Sequence, residues 1–423
     1  MGCDAINSFF ILNDGTVKTC GLNNYGQLGL GDTTTRNTPT LIPNLTNVKQ
    51  ISNNYYHTMF LLEDGTIKTC GYNNYGQLGL GDTTTRTSPT IIPDLNNVKQ
   101  ISCGESHTMF LLNDGNVKAC GLNNYGQLGL GDTTNRTTPT LIPNLTNVKQ
   151  LFCGFFHTLF LLNDGTVKAC GYNLHGQLGL GDTVHRNTPT LIPNLTNIKQ
   201  ISCGYSYTIF LLKDGTVKVC GYNEYGQLGL GDTTNRKALT TLPDLTGVKC
   251  VICGTYHTIF LLNDGTVKAC GLNNYGQLGL GDTKNRLISS LITDLTDVEQ
   301  ISCGNSHTIF LLKDGTIKVC GYNNYGQLGL GNTTNINIPT ILSDLTDVYL
   351  LSDQPIGILI LYTILNKDNN EIVYDEDTMT TIINSNIELI KSKGYSSFTD
   401  LLDFISDKDL DIYKLKKYLI TEE

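Results

Sequence analysis

The sequence predicts an all-β protein: a seven-bladed β-propeller closed by a C-terminal strand, with a short α-helical C-terminal tail. Three observations predict it. The phrase GLNNYGQLGLGDT, Gly21 to Thr33, returns at Gly71, Gly121, Gly171, Gly221, Gly271 and Gly321, fifty residues apart each time with no insertion or deletion. Periods of that length mark solenoids, propellers or arrays. Each unit also holds three to four short β-prone runs separated by Gly-rich turns and shows no helical period, which describes one propeller blade. Finally, the copies decay at both ends. In the first, Asp4 stands for Gly and Asn7 for His; in the seventh, Asn332 stands for Asp and Ile336 for Arg.

The elements follow in order within unit 101–150. A short β-prone run opens at Val98 and ends at Gly104, and HTMFLL, His107 to Leu112, is a second apolar strand. Asn113-Asp114-Gly115 reads as a hairpin turn, since Gly tolerates the positive φ such turns demand. Residues 116–121 return, with Val117 and Ala119 alternating against Lys118 and Cys120. After the Gly-rich phrase, residues 138–143 form a last strand flanked by prolines. The propeller is assigned residues 1–352, with Asp347 to Ser352 expected to close the ring by pairing into the first blade. Residues 353–374 read as an extra strand hairpin. Residues 375–423 read as a helical tail, with Met379, Ile382, Ile383, Ile387 and Ile390 on one helical face.

Composition narrows the function. The net charge is −9, and from Leu351 onward 14 acidic residues face 7 Lys and no Arg. No basic stripe exists, so direct nucleic-acid binding is not expected. No run reaches the roughly 18–20 apolar residues of a membrane helix, and no signal peptide opens the chain, so an intracellular protein of cytoplasm or nucleus is expected. The sequons at Asn44, Asn144 and Asn194 then carry no meaning. Of the fourteen cysteines, one row runs from Cys20 to Cys320 at the repeat period, and a second holds Cys3, Cys103, Cys153, Cys203, Cys253 and Cys303. Reduced, buried thiols acting as small hydrophobes are expected rather than a disulfide framework.

The units match the pattern G-x-N-x-x-GQLG-x-GD, seen as Gly21-Leu22-Asn23, Gly26-Gln27-Leu28-Gly29 and Gly31-Asp32 and repeated in every copy but for Asn332. In this the chain resembles the regulator of chromosome condensation repeat family, over about 350 residues. The resemblance implies a seven-bladed propeller whose closing strand mixes the chain ends. It also implies guanine-nucleotide exchange on a Ran-type small GTPase, which the founding member carries out with loops and an inserted β-hairpin. The family's usual Trp before the opening Gly is Cys20, Cys70 and their counterparts here, and the chain has no Trp. Seven units of one length hold no inserted hairpin, so no exchange residues are carried over.

Candidate chemistry is sparse. The spacing of GQLGLG looks like a phosphate loop, but such loops feed a helix N-terminus and none follows here. Gly26, Gly29 and Gly31, with Gly76, Gly126, Gly176, Gly226, Gly276 and Gly326, are therefore read as structural, allowing neighbouring backbones to approach. His57, His107, His157, His257 and His307 recur at one blade's spacing, too far apart to share a metal, and are read as hydrogen-bonding residues. No catalytic set, cofactor site or metal site is expected. The copies differ in the residues between Gly and His, and these give the candidate partner-binding loops: Tyr55, Tyr56, Glu105, Phe155, Phe156, Tyr205, Tyr256 and Asn305. His175 and His185 set unit four apart and join that list. Aromatics on one face near the axis suit protein recognition. Replacing Phe155 and Phe156 by Ala is expected to weaken partner binding without lowering stability. The leading function is a non-enzymatic binding platform for a protein partner. The alternatives are nucleotide exchange on a Ran-like small GTPase and a structural or packaging role in a larger assembly.

Overall fold

Blade three shows why the chain folds as it does. Its strands are Val98–Cys103, His107–Leu112, Val117–Gly121 and Arg136–Leu141, in antiparallel order from the axis outward. The run HTMFLL is buried on both of its faces, and alternation divides its residues between two neighbours. Met109 and Leu111 pack with Phe160 and Cys170 of blade four. Phe110 and Leu112 pack with Met59 and Leu61 of blade two. The hydrophobic core therefore lies between blades, and a fully buried ring such as Phe110 contributes about 1.5–3 kcal/mol there. The hairpin turn closes through Gly115 N–H to Leu112 O at 3.0 Å, and the Asp114 carboxylate accepts from Asn116 N–H at 2.9 Å.

The protein is described here by a computed structural model covering residues 2–4, 6–12, 15–243, 245–293, 295–343, 348–350 and 360–362. Seven four-stranded antiparallel sheets repeat the arrangement, and no helix occurs among the described residues. The outer strand starts two residues earlier than the sequence suggests, because Arg136 pairs opposite Gly121. No helix among these residues is long and apolar enough to cross a membrane.

Polar groups fasten one blade to the next. The Gln100 amide acts as a piece of strand: its Nε2 donates to Leu151 O at 2.9 Å while its Oε1 accepts from Leu151 N–H at 3.0 Å. The same two-way bond joins Gln50 to Ile101 and Gln200 to Val251. The Gly-rich phrase of blade three lies against the outer strand of blade four, where Gly131 N–H donates to Asn187 O at 2.8 Å. Pro189 covers Gly129 with Cγ 3.2 Å from where a Cβ would stand, and Cys170 Sγ lies 3.3 Å from the same point. This explains a small residue in the cysteine row. From Cys20 to Cys320 every described cysteine is buried except Cys250, which is half-buried.

The junction of blade seven with blade one is made in the same way. Phe10 and Cys20 join the core of blade seven. Ser8 Oγ donates to Gln327 O at 2.7 Å, and Gly331 N–H donates to Asn37 O at 3.0 Å. The ring is closed. Gly2–Asp4 pairs with Asn7–Ile11 in blade one, and Val348–Leu350 pairs with Ile360–Tyr362; Asp347, Leu351 and Ser352 of the expected closing strand lie outside the described residues. Val348 faces Tyr362 as Val298 faces Leu312, so this pairing keeps the register of the repeat. The rest of the 353–374 hairpin and the 375–423 helical tail lie outside the described residues.

Six units carry an Asp–Arg pair at 2.5–2.7 Å beside the phrase, from Asp32–Arg36 to Asp282–Arg286. In five pairs the arginine holds the carboxyl below its ordinary range; at Asp182 burial opposes this, and the Val184 N–H outweighs Arg186 in lowering it. These groups are substantially exposed and solvent screens them. Unit seven manages with Asn332 and Ile336. Arg136→Ala is accordingly expected to lower stability by less than about 1 kcal/mol, measured as a shift of the urea midpoint.

Candidate functional site

The buried histidines form a relay around the ring. Thr158 has a single hydroxyl proton and gives it to Gln127 O at 2.9 Å. Its oxygen must then accept from His107, whose Nε2 lies 3.1 Å away, so His107 is the neutral tautomer protonated at Nε2. The same pairing joins His57 to Thr108, His157 to Thr208 and His257 to Thr308. Nδ1 of each ring is buried with no hydrogen-bond partner. Burial drives the pKa down to about 3 at His57, His107, His157 and His257 and to about 4 at His307. In unit five Tyr207 takes the position and donates from its hydroxyl to His257 O at 2.6 Å. These residues hold blades together. Among the described residues no group of three or more His, Cys, Asp or Glu is placed to hold a metal.

The loops between first and second strands converge at one mouth of the axis. Tyr55 of blade two meets Phe155 of blade four edge-on at 5.1 Å, Phe155 meets Tyr205 at 4.6 Å, and Tyr205 meets Tyr256 at 5.4 Å. Burial raises the pKa of the Tyr55 hydroxyl, which hydrogen-bonds with Thr255 across the ring. An aromatic plug fills the mouth. Phe155 is only 7% exposed, so it belongs to the plug, and truncating it would remove packing as well as surface. The expectation that the Phe155 and Phe156 pair could be lost at no cost to stability is corrected on this ground. Tyr56, Phe156, Tyr205 and Tyr256 are half-buried with part of each ring on the face, and Asn305 stands half-buried on the corresponding loop of blade seven.

The two histidines of unit four lie farther out. His185 Nδ1 accepts from Asn173 N–H at 3.0 Å, as Asn135 Oδ1 accepts from Asn123 N–H at 2.9 Å in unit three. Its ring stacks on Tyr172 at 5.0 Å. His175 packs edge-on to Tyr222 at 4.9 Å. Burial lowers the pKa of both. They stand in for an Asn and a Tyr of the sibling units and extend the aromatic layer.

That layer has a gap at blade three. In blade two, Tyr25 of the preceding phrase nests between Tyr56 and Tyr72, at 5.4 and 4.9 Å. The equivalent positions of blade three are Ser106 and Leu122, which are smaller. A cleft of about 390 Å³ opens there, walled by Tyr25, Tyr56, Tyr72, Tyr75, Tyr125 and Phe156. Glu105 also lines it, and burial pushes its carboxyl up to about 6. Sequence reasoning named Glu105 but missed Tyr25, Tyr72, Tyr75 and Tyr125, which lie in the repeated phrase or just after its opening Gly. The available signal was the joint change to Glu, Ser and Leu in a single unit.

The Regulator of chromosome condensation (RCC1) repeat profile matches residues 14–61, 64–111, 114–161, 164–211, 214–261, 264–311 and 314–351. No curated protein matches the chain. Among solved structures, human WBSCR16 aligns with a TM-score of 0.72 at 22% identity, covering 83% of this chain and 99% of its own. Yeast RCC1 (Prp20), crystallised with Kap60, aligns with a TM-score of 0.72 at 19% identity, covering 90% of this chain and 93% of its own. Prp20p from Saccharomyces cerevisiae, described with its binding to Gsp1p and histones, aligns with a TM-score of 0.70 at 21% identity, covering 91% of this chain and 96% of its own. At these identities the likeness is one of fold.

Proposed function

We propose that this chain, a member of the regulator of chromosome condensation repeat family, is a non-enzymatic binding platform that engages a protein partner through its aromatic loop face. One observation carries the reading. Most repeated residues are consumed in contacts between blades, as with Gln100, His107, Thr158 and Gly131, whereas residues that differ gather around one mouth of the axis, beside phrase tyrosines such as Tyr25 and Tyr125. Half-buried aromatics held by rigid strands supply contact area at little cost in conformational entropy.

The test uses substitutions that the fold already carries elsewhere. Ser106, Ser206 and Ser306 occupy the position of Tyr56, Phe156 and Tyr256. A Tyr56→Ser, Phe156→Ser, Tyr256→Ser variant is expected to lose partner capture at least tenfold while still unfolding cooperatively. A rim variant, Leu41→Ser with Leu141→Ser, should retain capture, although these side chains are 51% and 52% exposed. Capture lost by the rim variant and kept by the loop variant would overturn the proposal. Nucleotide-free Ran-type GTPase is one bait for this assay. Accelerated nucleotide release would favour the exchange reading, and retention without release would favour the platform.

A further inference from the structure

We infer that the cleft at blade three is a subsite for an alkylated ammonium group, presented by a protein partner as a methylated lysine side chain. The inference rests on the reading of the loop face as a binding surface and names the chemistry of one contact on it. Six aromatic residues and Glu105, with Ser106, Leu122 and Asn124, line a concave space of about 390 Å³, within the size range of ligand pockets. Aromatic faces attract cations through the ring quadrupole, and cages of such rings are the recurring solution for quaternary ammonium groups. An ordinary lysine ammonium holds its water tightly, whereas methyl groups remove that hydration and add apolar surface that fits the rings.

Charge complementarity selects a cation over an apolar occupant. Glu105 is the one acidic residue among the seven loop pairs, and among the described residues no cation pairs with it. Its backbone N–H donates to Phe155 O at 3.0 Å, which ties the residue to the neighbouring loop. A half-buried carboxylate lacking a partner is costly to keep unless something pairs with it. The space itself arises because Ser106 and Leu122 replace the aromatic pair that Tyr56 and Tyr72 supply in blade two. Other units keep an aromatic or Ile6 at one of these two positions. Blade three alone combines the gap with an acid.

The experiment titrates the full chain with two short Gly-Ser-flanked peptides, observed by ligand-detected NMR. One carries trimethyl-lysine; the other carries its uncharged carbon isostere, with tert-butyl in place of trimethylammonium. The trimethyl-lysine peptide is expected to bind at least tenfold more tightly than the isostere. Glu105→Gln should remove most of that difference and leave the weak isostere binding unchanged. Ser106→Tyr, which restores the residue found at Tyr56 and Tyr256, should abolish binding of both while the thermal midpoint stays near wild type. Equal binding of the two peptides, or binding of neither, overturns the subsite. Binding to phosphatidylcholine vesicles without binding to the peptide assigns the cleft to a lipid headgroup and overturns the protein source. Failure here, with partner capture still lost in the loop variant, removes the subsite alone and leaves the platform standing.

Discussion

Lowering the pH from about 7.5 to about 5.5 is expected to remove about 7 kcal/mol of folding stability, most of what a domain commonly has. The five relay histidines have folded pKa values of about 3 to 4 against an ordinary value of 6.5. Between those limits the unfolded chain takes up protons that the folded chain refuses. The contribution is therefore intact above pH 6.5 and is lost as pH falls below it. At one unit below 6.5 each histidine accounts for about 1.4 kcal/mol, and five give about 7. Glu105 acts in the opposite sense, since a raised carboxyl is easier to bury once protonated. One partly exposed carboxyl does not offset five fully buried rings. Urea midpoints measured across this range should fall steeply. His107→Asn, which copies the residue that unit one carries at Asn7, should reduce the slope by about a fifth. A flat midpoint would show that the rings are not held neutral.

The second large effect concerns two glycines that share a backbone conformation but differ in surroundings. Gly126 and Gly165 have φ of +78° and +83°. Alanine at either carries a left-handed penalty of about 1–2 kcal/mol. At Gly165 nothing lies within 4 Å of the new Cβ. At Gly126 that Cβ would stand 2.3 Å from Asn187 Cα, so the phrase of blade three would have to move off blade four. Overpacking against backbone adds about 1–3 kcal/mol. Gly126→Ala is expected to cost about 2–5 kcal/mol and Gly165→Ala about 1–2 kcal/mol, by urea unfolding of the two variants. Equal losses would mean that the phrase does not fasten blade to blade.

The fold was legible in the sequence because the repeat displays its own geometry seven times. Strand positions, hairpin turns and the role of the phrase glycines follow from alternation and from Gly chemistry at a fixed period. The inner strand of blade one was not legible in this way. Gly2–Asp4 is short and decayed, while the text after Val348 keeps the repeat's phase, so Asp347 to Ser352 is the strand the sequence offers for that place. The site was half legible. The loop residues announced themselves by refusing to repeat, but sequence cannot show that Phe155 and Tyr55 meet across an axis and bury each other. Nor can it show that Tyr25, Tyr72 and Tyr75, which look like scaffold, turn their rings onto the same face. That depends on how adjacent blades nest. The gap at blade three is likewise a property of neighbours: Ser106 and Leu122 are ordinary residues until a sibling unit shows what they replaced.

The placement of function on the loop face, away from the repeated contacts, is tested most directly by hydrogen exchange with a captured partner bound. Protection is predicted at the amides of residues 54–57, 104–107, 154–157, 204–207 and 254–257, with outer strands such as Arg36–Leu41 and Arg136–Leu141 unchanged. Those strands carry exposed Leu41, Ile91, Leu141 and Leu191 and form the competing surface. Protection confined to them, with the loop amides exchanging as in the free protein, would contradict the account.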